Sequence, residues 1–349
     1  ARVAILAGNS VDYAACYLGT VQAGMVTVPL NAKLSADALA WIIDDAGVEL
    51  VFCDAEFAHR APDDVPAGRI GSSHWQGFLS TQPGGTTEVE SAAVAVQMYT
   101  SGSTGRPKGV LLTHGGQAFS IEQYTSGVMP MDPDERLMVA APMWHKNAQM
   151  QLKMAMSLGG TVILLPRFDA ELYLRAAATH RATSLSGVPT MFWMMLARPE
   201  LFDELDLSSV ERVGIGSAPM TEAFFAEMQQ RFPGAVVTNG YGTTEVVAVF
   251  GGHPDGLPRP TITVGYPLEA VETRLVDPAT GTDAVSDDDG RSHGELWVRS
   301  PGVMAGYHEL PDVTASRLTD GWYHTGDLME RDADGWHWFV DRVDDMFVC

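Results

Sequence analysis

A chain of 349 residues with 46% hydrophobic and 19% charged residues has a globular composition, and it is too long for one compact core, so two or three packed subdomains are expected. The formal charge of −22 opposes binding to nucleic acid or an anionic membrane surface, and no apolar run approaches the roughly 18 residues of a bilayer span. An anionic ligand must therefore be met locally, by backbone N–H groups, Lys, Arg or a divalent cation.

Residues 1–6 lack the n-region and cleavage site of a signal peptide and read as a strand entered midway, so the natural N-terminus is expected upstream. Residues 3–7 form a short apolar strand, 11–24 carry helix-spaced apolar residues, 25–30 are strand-like, 36–46 helical and 48–53 a strand. That β-α-β-α-β rhythm predicts a parallel sheet covered by helices. The stretch 61–87, rich in Pro, Gly, Ser and Thr, reads as a surface connection. The rhythm resumes at 94–98 and continues to about residue 250, with strands at 137–141, 161–165, 184–186, 212–216 and 236–239. A helix over 221–232 places Met220, Phe224, Phe225, Met228 and Phe232 on one apolar face. The Met- and aromatic-rich runs 150–156 and 192–195 read as helix core. So many strands exceed one sheet, which predicts two stacked layers.

The composition changes near Gly251. A Pro/Gly-rich segment, 253–260, precedes short alternating runs at 272–276, 294–299 and 336–340, separated by Asp/Gly turns. The expected fold class is therefore α/β: two stacked α/β subdomains with mainly parallel sheets over residues 1–255, plus a small antiparallel β-barrel-like subdomain over 256–342 and a short stub, 343–349. Cys16, Cys53 and Cys349 are odd in number, far apart and without metal-ligand spacing. They read as reduced thiols of a cytoplasmic protein.

Residues 99–114 read Tyr-Thr-Ser-Gly-Ser-Thr-Gly-Arg-Pro-Lys-Gly-Val-Leu-Leu-Thr-His, between the predicted strand 94–98 and a helix expected after Thr113. Gly102, Gly105 and Gly109 permit backbone conformations in which successive N–H groups face one anion. Thr100, Ser101, Ser103 and Thr104 add hydroxyls and Lys108 a point charge, a mixture that suits a polyphosphate. A plain flexible connection would share the glycines and serines, but it needs neither the ordered hydroxyls nor a single Lys. The Walker pattern fails, because Lys108 follows Pro107 and precedes Gly109.

The segment resembles the signature loop of the acyl-adenylate-forming (AMP-binding) superfamily, and further motifs follow in that family's order. Asn239-Gly-Tyr-Gly-Thr-Thr-Glu245 matches its Tyr-Gly-x-Thr-Glu motif. The resemblance implies Tyr241 against adenine, Gly240, Gly242 and Thr243 around the nucleotide, Thr244 at the α-phosphate and Glu245 as a ligand of Mg²⁺. An aromatic face suits a purine and a hard cation prefers a carboxylate oxygen, although a strand-end turn could carry the same residues. Gly214-Ile-Gly-Ser-Ala-Pro219 resembles the segment that lies along adenine, bringing Ser217, Ala218 and Pro219 to the ring. Tyr323-His-Thr-Gly-Asp327 matches a Thr-Gly-Asp motif whose Asp accepts from both ribose hydroxyls; a simple turn residue is the other reading of Asp327. Val340-Asp-Arg342-Val-Asp-Asp345 resembles the motif that closes the large domain, with Arg342 on ribose or phosphate and Asp344 as hinge. Many members have Gly before this Arg, where this chain has Asp341.

Pro142-Met-Trp-His145 resembles the segment whose aromatic or His side chain gates the acyl pocket. His145 takes that role by resemblance, or is a His satisfied at a strand end. Gly214, Gly216 and Val246 then help to shape a pocket for an apolar acyl or aryl group. Lys146 departs from the apolar neighbour expected there. A solvated side chain is its simplest reading, with a polar substrate group or a CoA phosphate as alternatives. Relatives that activate amino acids place an Asp in this region, and none occurs between residues 143 and 165.

The resemblance implies an acyl-CoA synthetase that uses ATP, Mg²⁺ and CoA: the carboxylate attacks the ATP α-phosphate, pyrophosphate leaves, and a thiol takes the acyl group. Lys108, Thr244 and Glu245 carry the catalysis by charge neutralisation and alignment. It also implies a small C-terminal domain supplying a Lys that nothing in residues 1–349 matches. These residues alone are expected to bind nucleotide, adenylate weakly and scarcely form thioester. A carrier-protein thiol in place of CoA, or a nucleotide-binding protein without catalysis, are the alternatives.

Overall fold

Alternation along one short strand organises the first layer. The computed structural model describes residues 1–343 apart from 63, 74, 76–78, 80–83, 102–105, 129–130, 132 and 254–256. In β1 (Arg2–Leu6), Val3 and Ile5 join one buried cluster and Ala4 and Leu6 another. The helix Val11–Gln22 covers the first face with Tyr13 and Tyr17, and the helix Ala36–Asp45 covers the second with Leu39 and Ile42. Ser10 and Ser35 start these helices by accepting the N–H groups of Tyr13 and Ala38. With β2 (Val26–Pro29), β3 (Leu50–Cys53), β4 (Ala67–Arg69) and β5 (Val94–Ser101), β1 makes a parallel array in the order β5-β2-β1-β3-β4.

The expected phosphate loop is built differently from its sequence reading. Residues 107–113 are not loop but β6 (Pro107–Thr113), which turns back antiparallel on β5, with Thr100 opposite Lys108. Residues 102–105, between the two strands, lie outside the described residues. The helix His114–Glu122 then begins where expected, capped by the Thr113 hydroxyl, which accepts from the Gly116 N–H at 3.0 Å.

The second sheet is parallel throughout. Its strands are β7 (Arg136–Val139), β8 (Thr161–Leu164), β9 (Ser184–Gly187), β10 (Arg212–Gly216) and β11 (Val236–Gly240), in the order β11-β10-β9-β7-β8. The helix Glu222–Arg231 buries Phe224 and Met228 and ends at the buried Phe232, the apolar face read from the sequence. In the helix Pro189–Leu196, only Phe192 and Met195 of the run 192–195 are buried; Trp193 and Met194 face outward, so half of that run is not core. Asn9 joins the two sheets: its amide donates to the carbonyls of Ala141 and Leu165 at 2.9 and 3.0 Å, and its oxygen accepts from the Met143 N–H at 2.8 Å.

After the pair β12 (Phe250–Gly252) and β13 (Tyr266–Pro267), the chain builds an antiparallel unit from β14 (Glu272–Val276) and β15 (Ser292–Arg299). Next, β16 (Gly306–Tyr307) pairs with β6 on the edge of the first sheet. The unit is completed by β17 (Leu318–Thr319), β18 (Trp322–Arg331) and β19 (His337–Arg342), in the order β14-β15-β18-β17 with β19 also on β18. Val110 and Leu112 of the first sheet share one core with Leu296 and Met329 of this unit, so the first sheet and the antiparallel unit pack together.

One core residue carries a pH prediction. His337 is 2% exposed, and its ring packs 4.7 Å from Phe250. Burial, and then the charge of Arg331, lowers its pKa from 6.5 to about 4. The unfolded chain therefore takes up a proton below about pH 6.5 that the native state refuses until about pH 4, and stability falls as pH falls through that window. The loss attributable to this residue is about 3 kcal/mol by pH 4. Equilibrium denaturation of the wild type and His337→Phe at pH 7 and pH 4.5 should show a markedly shallower acid loss in the variant; equal slopes would remove this account.

Candidate active site

The carboxyl ends of β10 and β11 lie side by side, the edge where open α/β sheets bind ligands. Gly216 faces Gly240 across the two strands, and a Cβ on Gly216 would stand 2.5 Å from the Gly240 carbonyl oxygen. Beyond it Ser217 adopts φ +66° and leads into exposed Ala218 and Pro219, so a bare backbone turn is presented at the end of the sheet. Gly216→Ala should cost about 1–3 kcal/mol and splay this edge, lowering nucleotide affinity. Gly214→Ala, whose added Cβ would meet nothing nearer than the Leu185 carbonyl at 3.8 Å, is the control. Thermal melts and nucleotide titrations that rank the two variants equally would contradict the close-approach argument.

Tyr241 follows directly from β11, and its hydroxyl donates to Asp327 Oδ2 at 2.5 Å. Asp327 lies in the middle of β18 opposite Arg342 of β19, and Oδ1 accepts from the Arg342 guanidinium at 2.6 Å. A sheet register therefore places both residues, and the reading of Asp327 as a turn residue is corrected. The carboxylate is 3% exposed. Burial raises its pKa against the opposing effects of Tyr241 and Arg342, while burial and the Asp327 charge push the Tyr241 phenol well up. The result is a fixed acceptor beside a half-buried aromatic ring.

Two further motifs meet through a residue that the sequence reading did not single out. Tyr307, brought to β6 by the two-residue pairing of β16, donates its hydroxyl to Glu245 Oε1 at 3.0 Å. The Lys108 ammonium stands over the same ring, 5.6 Å from its centroid. The Glu245 carbonyl accepts from the Met304 N–H at 2.7 Å, and the Thr243 hydroxyl accepts from the Val246 N–H at 3.1 Å, closing the turn that carries Thr244. Burial and then the Glu245 carboxylate raise the pKa of Tyr323, and its hydroxyl reaches Thr243. A two-residue strand has no periodicity to read, which is why Tyr307 escaped notice.

Gly109 belongs to the β5–β6 ladder opposite Tyr99, and a Cβ there would strike the Gln97 side chain at 2.8 Å. Its role is close packing, so the expectation that its N–H faces an anion is corrected. Gly102, Ser103, Thr104, Gly105 and Asp344 lie outside the described residues, as does the side chain of Ser101.

Of the residues expected around an acyl group, Gly214, Gly216 and the helix after His145 belong to the second sheet's side, whereas Val246 packs in the core of the first sheet and the antiparallel unit. His145 is exposed and caps the helix Lys146–Leu158; partial burial, then the charge of Lys33, lowers its pKa. Asn147 accepts from the Ser186 hydroxyl at 3.2 Å, tying this helix to the end of β9, whose Ser186 is registered with Gly214 of β10. Val246 is wholly buried. Lys146 is not the solvated side chain expected: its ammonium donates to Gln117 Oε1 at 2.6 Å, and burial lowers its pKa well below the usual Lys range.

Among the described residues no group of three or more His, Cys, Asp or Glu could hold a metal unaided. Glu245 is a single half-buried carboxylate held by the Tyr307 phenol, whose ring carries the Lys108 ammonium over it. That donor set fits a Mg²⁺ ion whose remaining ligands are substrate phosphates and water.

A family model described as "AMP-binding enzyme" matches residues 1–308. The chain is 33% identical to a feruloyl-CoA synthase of Amycolatopsis sp. over 99% of its own length and 69% of that protein's. It is 31% identical to a 3-hydroxybenzoate–CoA ligase of Aromatoleum sp., over 99% and 68% of the two chains. The fold superposes on ATP-bound MatB from Rhodopseudomonas palustris with a TM-score of 0.89 at 30% identity, covering 99% of this chain and 69% of that one.

Proposed function

Because the chain belongs to the AMP-binding enzyme family, we propose that it activates a carboxylic acid with an apolar acyl or aryl body as its acyl-AMP and passes the acyl group to the thiol of CoA. The observation that carries this reading is the convergence of four distant motifs, joined by Tyr307. Lys108, Tyr307 and Glu245 line one end, and Tyr241, Asp327 and Arg342 the other. Adenine lies on the Tyr241 ring beside residues 216–219. The ribose hydroxyls donate to Asp327, whose second function is to hold Arg342 in place. The triphosphate extends toward Lys108 and residues 102–105.

The substrate carboxylate attacks the α-phosphorus, a P–O bond to the acyl oxygen forms, and the bond to pyrophosphate breaks. Both reactants are anions, so the barrier falls through fixed positive groups and alignment. Thr244 orients the α-phosphate and Lys108 neutralises the leaving pyrophosphate. Glu245 would hold Mg²⁺, which supplies charge neutralisation on the phosphate oxygens when bound. In the second step the CoA sulfur attacks the acyl carbon and AMP leaves.

No helix among the described residues is long and apolar enough to cross a membrane. Cys16 and Cys53 are free, buried thiols, and unpaired cysteines fit the cytoplasmic setting read from the sequence. Carboxylate-dependent exchange of pyrophosphate into ATP by the full-length gene product tests the first step. Exchange is expected with aromatic or medium-chain acids, and its absence across a broad panel despite ATP binding would refute the reading.

A further inference from the structure

Two lysines on one side of a helix share a single neutral acceptor. Lys146 and Lys153 are seven residues, two turns, apart on the helix Lys146–Leu158. Both ammonium groups donate to Gln117 Oε1, at 2.6 and 2.5 Å, so the two nitrogens lie within about 5 Å of each other. Gln117 belongs to the neighbouring helix His114–Glu122 and is 8% exposed. Lys153 also stands over the ring of Tyr17, 5.8 Å from its centroid, and Tyr17 directs its hydroxyl to Gln149 at 3.1 Å. Among the described residues neither ammonium meets a carboxylate, in a chain with 44 acidic residues.

One amide oxygen cannot balance two half-buried cations that stand within about 5 Å of each other. Burial lowers both lysines, Lys153 to about 7, and the charge of Lys153 adds to the lowering at Lys146, so the pair lacks the negative charge that would keep it protonated. Its position indicates where that charge comes from. Lys146 follows His145 directly, and Asn147 is tied to the end of β9 beside β10. On its other side the helix His114–Glu122 packs on Gly302, where an added Cβ would meet Phe119, Ser120 and the Val247 carbonyl, two residues past Glu245.

We propose that Lys146, Lys153 and Gln117 form a subsite for a second anionic group on the acid substrate, so that the enzyme selects an acid bearing a distal carboxylate over its monoacid counterpart. This rests on the acid-activating function proposed above: the reacting carboxylate belongs at Thr244 and Glu245, and the lysine pair, on other elements, receives the opposite end of the molecule.

The test is calorimetric titration of the chain saturated with Mg²⁺ and α,β-methylene-ATP, using octanoate against octanedioate and benzoate against terephthalate. In at least one pair the diacid should bind about tenfold or more tightly. That ratio should fall toward one in Lys146→Met and Lys153→Met and survive in Lys146→Arg and Lys153→Arg. A wild type that binds both monoacids as tightly as the diacids overturns the proposal whether or not the variants fold, as does a preference unchanged by both Met variants. If CoA affinity, titrated separately, falls in the Met variants while the diacid preference persists, the pair is a phosphate site and the proposal is wrong. Failure of α,β-methylene-ATP to bind, seen before any acid is added, defeats the acid-activating reading itself and this inference with it.

Discussion

Replacing Asp327 with Ala is expected to weaken ATP binding by at least about 100-fold, or ~3 kcal/mol. The carboxylate is almost completely buried and holds two partners at once, the Tyr241 hydroxyl at 2.5 Å and the Arg342 guanidinium at 2.6 Å. Its removal deletes the proposed ribose acceptor and leaves a phenol and a cation without their acceptor, which frees both the adenine platform and the β18–β19 pairing. Asp327→Asn keeps the shape and one acceptor oxygen, so its loss should be nearer tenfold. Titration of Mg²⁺-ATP into the two variants measures both. Equal, small losses would mean that Asp327 is a structural strut with no ligand.

The second large effect is expected at Glu245. Glu245→Gln removes the carboxylate proposed to hold Mg²⁺, and should lower pyrophosphate exchange by the full-length gene product about 10³-fold, with raised Mg²⁺ required for the remainder. Tyr307→Phe separates positioning from catalysis. It leaves the ring beneath Lys108 and removes only the hydroxyl that holds Glu245, so a loss of about tenfold is expected. If Tyr307→Phe proves as damaging as Glu245→Gln, the phenol touches substrate directly; if Glu245→Gln has no effect on Mg²⁺ dependence, the proposed metal ligand is wrong.

The layers were legible because their physics is local. The alternation of Val3 and Ile5 against Ala4 and Leu6, and the 3.6-residue spacing of Phe224, Met228 and Phe232, encode burial within a few residues. The site motifs were legible as residue types, and the structure brings Lys108, Tyr241, Glu245, Asp327 and Arg342 to one region. What the sequence did not disclose depends on pairing between distant segments. The antiparallel return of β6 on β5 makes Gly109 a packing glycine, and the pairing of β16 with β6 delivers Tyr307. The convergence of Lys146 and Lys153 on Gln117 joins two helices with no sequence signal between them. A lysine drawn inward by a neighbouring amide reads, in sequence, like any exposed one.

The most direct test of the central claim is a crystal structure of the chain with Mg²⁺ and α,β-methylene-ATP. Adenine should lie between Tyr241 and residues 216–219, the ribose should bond to Asp327, and the phosphates should reach Lys108 and residues 102–105. A nucleotide bound elsewhere, with Lys108, residues 102–105 and Asp327 untouched, would contradict it.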